Sequence, residues 1–231
     1  MRTIAVIAQK GGSGKTTVAI NLGIAAHRRG LKTVLADTDP QRSLADVLKS
    51  RRLTDPPFVE TNGRGLFALQ ASSLRKGVDL LVIDTAAGKE EELGHALVLA
   101  DLLLLVVRPT LLDFAALVRT LRVIRHLRKK ALVVLNQAPA PRAGREPPAV
   151  RRAQEALQLL RLPASASILR TRAAYQSALE RGYSVEEQAL DVSAAAEVAE
   201  LWKSVQHAGQ ARERPPREPF DEFIIRDRAL F

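Results

Sequence analysis

The sequence predicts an α/β fold: a doubly wound, mostly parallel sheet flanked by helices. Three observations carry that expectation. Five short Val/Ile/Leu-rich runs recur along the chain, longer segments of helical character separate them, and the runs are nearly unbroken rather than alternating. Unbroken apolar runs are what strands buried on both faces require. With 231 residues and 46% hydrophobic content, one domain with one sizeable core is expected over residues 1–207.

Taken in order, "TIAVIA" (3–8) reads as a buried strand, followed by a Gly-rich loop and a helix from about Lys15 to Arg29. Gly30 closes that helix, since a residue just past a helix end commonly adopts a left-handed conformation that glycine accepts at no steric cost. "KTVLAD" (32–37), "DLLVID" (79–84), "DLLLLVV" (101–107) and "ALVVLN" (131–136) are the further strands. Helical segments are expected around 42–51, 64–76, 90–99 and 112–128, with a last helix at 193–206. "NQAPAPRAGREPP" (136–148) is Pro/Gly-rich and reads as a loop at a strand's C-terminal end, where ligands bind in such sheets. Residues 208–231 form a tail carrying five Arg and five acidic residues, so the net charge of +10 resides on the body.

That charge, with a pI near 10.5, points to a polyanionic partner such as nucleic acid. The chain has no cysteine, which excludes disulfides, Cys-ligated zinc and thiolate-held clusters. The N-terminal "MRTIAVIAQ" lacks a secretory h-region and cleavage site, and "LLLLVV" is far too short to span a bilayer. A cytoplasmic, bacterial-type protein is the expectation.

The chemistry concentrates in "QKGGSGKTT" (9–17), which follows a strand and opens a helix. Gly11, Gly12 and Gly14, with Ser13 between them, let backbone N–H groups converge on phosphate oxygens, and the helix N-terminus adds a favourable dipole. Lys15 supplies a point charge to the β- and γ-phosphates, Thr16 a hydroxyl for Mg2+, and Thr17 a hydroxyl that reaches the α-phosphate. The strict phosphate-loop pattern asks for glycine where Gln9 stands, so the motif is a variant. It also holds a second lysine, Lys10. "LLVIDTAAG" (80–88) ends a hydrophobic strand in Asp84, the position of a metal-holding carboxylate. "VLADTDPQ" (34–41) delivers Asp37 and Asp39 two residues apart, on the same side of an extended chain; they serve either to orient an attacking water or, more simply, as a turn or helix cap. The chain has "NQAP" where guanine-specific proteins carry N-K-x-D, which favours ATP over GTP.

"KGGSGKTT", "DTDPQ" and "VIDTAAG", in this order and in these strand contexts, resemble the deviant Walker-type ATPases of the ParA/MinD family, and more closely its small ParA branch. "RPTLLDFAAL" (108–117), "VLNQ" (134–137) and "ILRTRAAYQSALERGYSVEE" (168–187) extend the resemblance to most of residues 3–206. It implies a P-loop NTPase fold and a dimer in which Lys10 reaches the phosphates bound by the facing subunit. It also implies Asp39 as the hydrolysis-supporting carboxylate, Asp37 near the metal shell, Asp84 as the Walker B residue, and Asn136 against adenine. Residues 182–185 are implied to form a loop near the dimer face. Ala86-Ala87 and Leu169 depart from the family, which often has proline at these places.

"RTLRVIRHLRKK" (119–130) carries six basic residues and no acid. Arg119, Arg122 and Arg125 are spaced to share a helical stripe suited to phosphates, while Leu117, Leu121, Ile124 and Leu127 face the core. Arg170 and Arg172 fall where the resembling branch carries DNA-contacting arginines. The expected partners are a second copy of the chain with ATP and Mg2+, non-specific DNA, and a small stimulating adaptor of ParB type. The expected role is slow, partner-stimulated hydrolysis that segregates or positions a cargo at the nucleoid. A membrane-cycling ATPase of MinD type and a biosynthetic synthetase of the same fold are the alternatives. For the tail segment "FDEFIIRDRALF" (220–231), two Arg against three acids suit anionic lipid poorly, and docking on the body or a partner is expected.

Overall fold

The computed structural model describes residues 1–87 and 90–210. A six-stranded sheet forms the centre, built from β1 (Arg2–Ile7), β2 (Thr33–Asp37), β3 (Phe58–Glu60), β4 (Leu80–Asp84), β5 (Leu102–Val107) and β6 (Ala131–Leu135). The strand order is β3-β2-β4-β1-β5-β6, and every pairing is parallel. The helices are α1 (Lys15–Arg28), α2 (Ser43–Lys49), α3 (Gly65–Arg75), α4 (Glu90–Leu99), α5 (Leu111–His126), α6 (Pro148–Leu159), α7 (Ala173–Glu180), α8 (Val185–Gln188) and α9 (Val192–Gln210).

Both faces of the sheet are covered, and the alternation of each strand divides its side chains between two cores. Ile4, Val6, Val82, Leu104 and Val134 pack with α1 and α9 on one face. Ala5, Ile7, Ile83, Leu105 and Val133 pack on the other, against α4, α5 and α6. Every residue of β4 and β5 is buried, the physical reason their sequences are unbroken apolar runs. At roughly 1.5–3 kcal/mol per buried large aliphatic side chain, this double burial fixes the strands and hence the loops at their C-terminal ends.

The end of α1 behaves as its sequence predicts. Gly30 has φ +85; its N–H donates to His27 O at 2.9 Å and the Leu31 N–H to Ala26 O at 3.2 Å, the paired bonds of a Schellman motif. Four elements went unpredicted. β3 is three residues long and mostly exposed, too short for a hydrophobic period. α6 hides in a charged sequence, although Val150, Ala153 and Leu157 mark its buried face and Pro148 its first turn. It begins at Pro148, so the Pro-rich loop closes one residue earlier than expected. α7 and α8 lie in the 168–187 segment. Within residues 182–185, Val185 is already helical, held by a capping box between Ser184 and Glu187.

Leu127, expected in the core, is 40% exposed, because α5 stops at His126 and Arg128 turns left-handed with φ 50. α9 runs to Gln210, so residues 208–210 are helix rather than tail. The segment 220–231 lies outside the described residues. Among the described residues, no helix is long and apolar enough to cross a membrane.

Candidate nucleotide-binding site

The sheet brings the loop after β1 beside the ends of β4 and β2. Val6 is in register with Asp84, and Asp84 with Asp37. The three motif segments therefore meet at one edge although up to about 70 residues separate them in sequence.

Local chemistry shapes the loop. Gly14 sits at the N-cap of α1 with φ 86, a conformation costly for any residue with a Cβ. The N-cap glycine offers no side chain to cap the helix, and the first turn has no acidic residue. The first N–H groups of α1 thus lack a protein carboxylate, which leaves the positive end of a 14-residue helix to an external anion. Lys15, 7% exposed, lies at the base of the cradle, and Gly11 and Gly12 are exposed along its lip. The buried Ser13 hydroxyl has no hydrogen-bond partner among the described residues.

Asp84 is fully buried at the end of β4. Its Oδ2 accepts the Thr16 hydroxyl at 2.6 Å, whereas its Oδ1 has no partner among the described residues. Burial pushes its carboxyl up to about 7; the negative charges of Asp37 and Asp39 act in the same direction, while the Thr16 hydrogen bond and Lys15 oppose. A hydroxyl and an orphaned carboxylate oxygen side by side are hard oxygen donors suited to Mg2+, and a divalent ion there would compensate a charge that the fold leaves uncompensated. Thr16 and Asp84 therefore fit the predicted metal.

Asp37 is placed differently. Its Oδ1 accepts the Asp39 N–H and its Oδ2 the Ala45 N–H, each at 3.0 Å. The fully buried carboxylate thus closes the turn and caps α2, the simpler of the two roles its sequence context allowed. Burial raises its pKa, partly offset by those two N–H bonds. β2 ends at Asp37, and Asp39 lies close enough for its charge to act on both Asp37 and Asp84. Asp39 is half-buried, and its Oδ1 accepts the Gln41 N–H at 3.0 Å. Arg42, which sequence reasoning passed over, holds this turn: in a left-handed conformation (φ 55) it donates from Nη1 to both Asp37 O and Thr61 O at 2.7 Å.

Asn136, 5% exposed at the end of β6, donates from Nδ2 to Ser13 O at 2.7 Å. Its amide nitrogen is thus committed to the phosphate loop, while its carbonyl oxygen accepts no hydrogen bond among the described residues. Lys10 reaches toward α5, its Nζ 4.0 Å from Asp113 Oδ1.

The basic residues separate into two groups. Arg119 and Arg122 are exposed on α5, and Arg125 is half-buried, its guanidinium held below its ordinary value by burial. Arg170 instead forms a bidentate pair with Glu146 at 2.5 and 2.9 Å and donates to Pro139 O. Arg172 binds Glu197 at 2.8 Å and lies 3.5 Å from Asp191. Both arginines expected at DNA are thus ion-paired with carboxylates of this chain.

The family model of the CobQ/CobB/MinD/ParA nucleotide binding domain matches residues 4–185. The chain is 30% identical over 193 residues to the maintenance of carboxysome distribution protein A of Halothiobacillus neapolitanus, covering 79% of this chain and 86% of that protein. It is 32% identical over 192 residues to the protein of the same name from Gloeobacter kilaueensis, covering 80% and 83%. Among solved structures, a Cyanothece McdA variant in complex with ATP superimposes with a TM-score of 0.74 at 16% identity, over 89% of this chain and 96% of that one. The cell division ATPase MinD of Pyrococcus furiosus gives 0.71 at 20% identity, over 89% and 98%. With the phosphate cradle, the Thr16–Asp84 pair and the parallel sheet in place, the chain belongs to the CobQ/CobB/MinD/ParA family of nucleotide-binding domains.

Proposed function

We propose that this chain is an ATP- and Mg2+-dependent switch that dimerises around its nucleotides, binds DNA without reading sequence, and so positions or segregates a cargo in a nucleoid-associated, cytoplasmic setting. One observation carries the reading, the surroundings of Lys10. Asp113 is already neutralised by Arg108, whose Nε and Nη2 donate to it at 2.8 and 3.1 Å. Lys10 and Arg108 therefore share one carboxylate, and a net positive charge is left beside the phosphate loop. A half-exposed contact at 4.0 Å contributes about 1 kcal/mol at most, so Lys10 gives it up readily to a stronger anion. The triphosphate of a facing protomer is such an anion.

In this reading the cradle N–H groups and Lys15 hold the phosphates, and Thr16 and Asp84 hold the cation, whose chemistry is to neutralise charge on the phosphate oxygens. Asp39, outside the metal pair and with its Oδ1 taken by the Gln41 N–H, orients the attacking water through Oδ2. Hydrolysis is slow until a small ParB-like adaptor engages the dimer, and it loosens the assembly. The names of the relatives, which concern carboxysome distribution and chromosome partitioning, support a positioning role. DNA is held by the exposed stripe of Arg119 and Arg122 through phosphates alone; Arg170 and Arg172 are not first-line contacts, because freeing them breaks ion pairs.

Size-exclusion chromatography with MgATP tests the core of the proposal. The native chain elutes as a dimer, whereas Lys10→Ala binds ATP yet stays monomeric. A normal Lys10→Ala dimer defeats the cross-subunit role. Reversing Arg119 and Arg122 to Glu weakens salt-sensitive DNA retention by the ATP dimer, and unchanged retention removes the stripe from the model.

A further inference from the structure

Two successive side-chain amides leave the end of β6 and land on the phosphate loop. Asn136 Nδ2 donates to Ser13 O at 2.7 Å, and Gln137 Nε2 donates to Gly12 O at 2.9 Å. Carbonyl oxygens only accept, so each amide must present its nitrogen. Gln137 reaches its carbonyl from a backbone position that ordinary residues avoid, with φ 51. The neighbours hold it there: the Asn136 N–H donates to Val107 O at 2.9 Å and the Ala138 N–H to Leu169 O at 3.1 Å.

A trans peptide sets the C=O of one residue antiparallel to the N–H of the next. Fixing Gly12 O outward therefore fixes the Ser13 N–H in the opposite direction, and fixing Ser13 O does the same for the Gly14 N–H. A phosphate nest needs those two N–H groups aimed inward and their carbonyls aimed outward at donors. The fit is tight, since a Cβ on Gly14 would stand 2.2 Å from Asn136 Nδ2 and 3.5 Å from Gln137 Nε2.

We propose that Gln137 is a positioning residue for the bound nucleotide: with Asn136 it clamps the carbonyls of Gly12 and Ser13, so that the N–H groups of Ser13 and Gly14 are preorganised for phosphate oxygens. The proposal rests on the nucleotide reading of the cradle. It assigns Asn136 a loop-holding duty alongside whatever its free oxygen meets. It gives Gln137 a role that neither its exposure nor its loop position suggests.

The left-handed backbone of Gln137 supplies a decisive variant. Gln137→Gly removes the clamp but relieves the backbone, so a purely structural residue and a positioning residue respond differently. The expected result is a melting temperature of the nucleotide-free full chain that is unchanged or higher, together with calorimetric binding of ADP about three- to tenfold weaker, the effect of one lost hydrogen bond. Amide exchange at Ser13 and Gly14 in the ADP-bound protein becomes faster in the variant. Gln137→Asn, too short to reach Gly12 O, weakens ADP similarly. Wild-type affinity in both variants overturns the clamp, as does a loss of affinity that merely follows a loss of thermal stability. Failure of the native chain to bind ADP instead removes the nucleotide reading itself, so the two failures are distinguishable.

Discussion

Asp84→Asn should stabilise the nucleotide-free protein while abolishing its Mg2+-dependent activity. Asp84 is fully buried, and only one of its oxygens is satisfied. Burial, with help from Asp37 and Asp39, raises its carboxyl from 3.8 to about 7. Between those values the folded protein keeps a proton that the unfolded chain has released, so raising the pH favours unfolding across this window. The penalty is absent below about pH 3.8 and complete above about pH 7. At about 1.4 kcal/mol per pH unit it reaches roughly 4 kcal/mol. Asparagine never ionises, and its Oδ1 can still accept the Thr16 hydroxyl. At about 2–4 °C per kcal/mol for a chain of this size, Asp84→Asn raises the melting temperature near pH 8 by about 8–16 °C, with less than half that gain at pH 5. Calorimetric melts in EDTA across this pH range measure it, and turnover with MgATP is lost in the same variant. A melting temperature lowered or unchanged at every pH refutes the argument that the fold stores an uncompensated charge at this position.

Three further outcomes are expected. Arg51 and Glu187, with side chains only 3% and 9% exposed, form a bidentate pair at 2.6 and 2.8 Å that ties the end of α2 to α8. Removing either partner alone, as in Arg51→Met, costs about 3–5 kcal/mol in urea unfolding, whereas the double replacement by Met costs far less, and additive losses contradict the pairing. Burial works to raise the Glu187 carboxyl, but its bonds from Arg51 and Ser184 prevail and hold it below 4.5. The pair's stabilisation is therefore present above about pH 4.5 and lost as the pH falls through the folded value, an acid-side loss that Glu187→Gln lacks. Gly14→Ala, which sets a methyl group against Asn136, lowers ATP affinity more than a hundredfold by calorimetry without unfolding the sheet; retained affinity means that the cradle is misplaced. In Asp39→Ala, the ATP dimer persists longer on a sizing column and turnover falls, and unchanged turnover removes Asp39 from the hydrolytic role.

How much of this was legible depended on sequence distance. The phosphate loop lies within nine consecutive residues between a strand and a helix, and its chemistry is that of backbone N–H groups, so glycine placement and the Lys-Thr-Thr run were enough to read it. Asp84 was legible for the same reason, as the polar end of an apolar strand. Asp37 was not. Whether a carboxylate closes its own turn depends on where α2 starts, and only the folded chain brings the Ala45 N–H to 3.0 Å from Asp37. Arg170 and Arg172 were named by resemblance alone, and their ion pairs were not legible because the partner carboxylates lie 24 and 25 residues away.

The sequence by itself determined the α/β class, the positions of the five long strands along the chain, the closure of α1 at Gly30 and the phosphate-binding loop. Each follows from local hydrophobic period or backbone conformation, which neighbouring residues dictate. Only the tertiary structure decided which charges are spent and which are left over. Arg170 and Arg172 are consumed by carboxylates, Asp84 keeps one oxygen unsatisfied, and Lys10 leans on an Asp113 that Arg108 already holds. Charge balance is a property of side chains brought within a few ångströms of one another across the sheet, and no spacing along the chain encodes that distance.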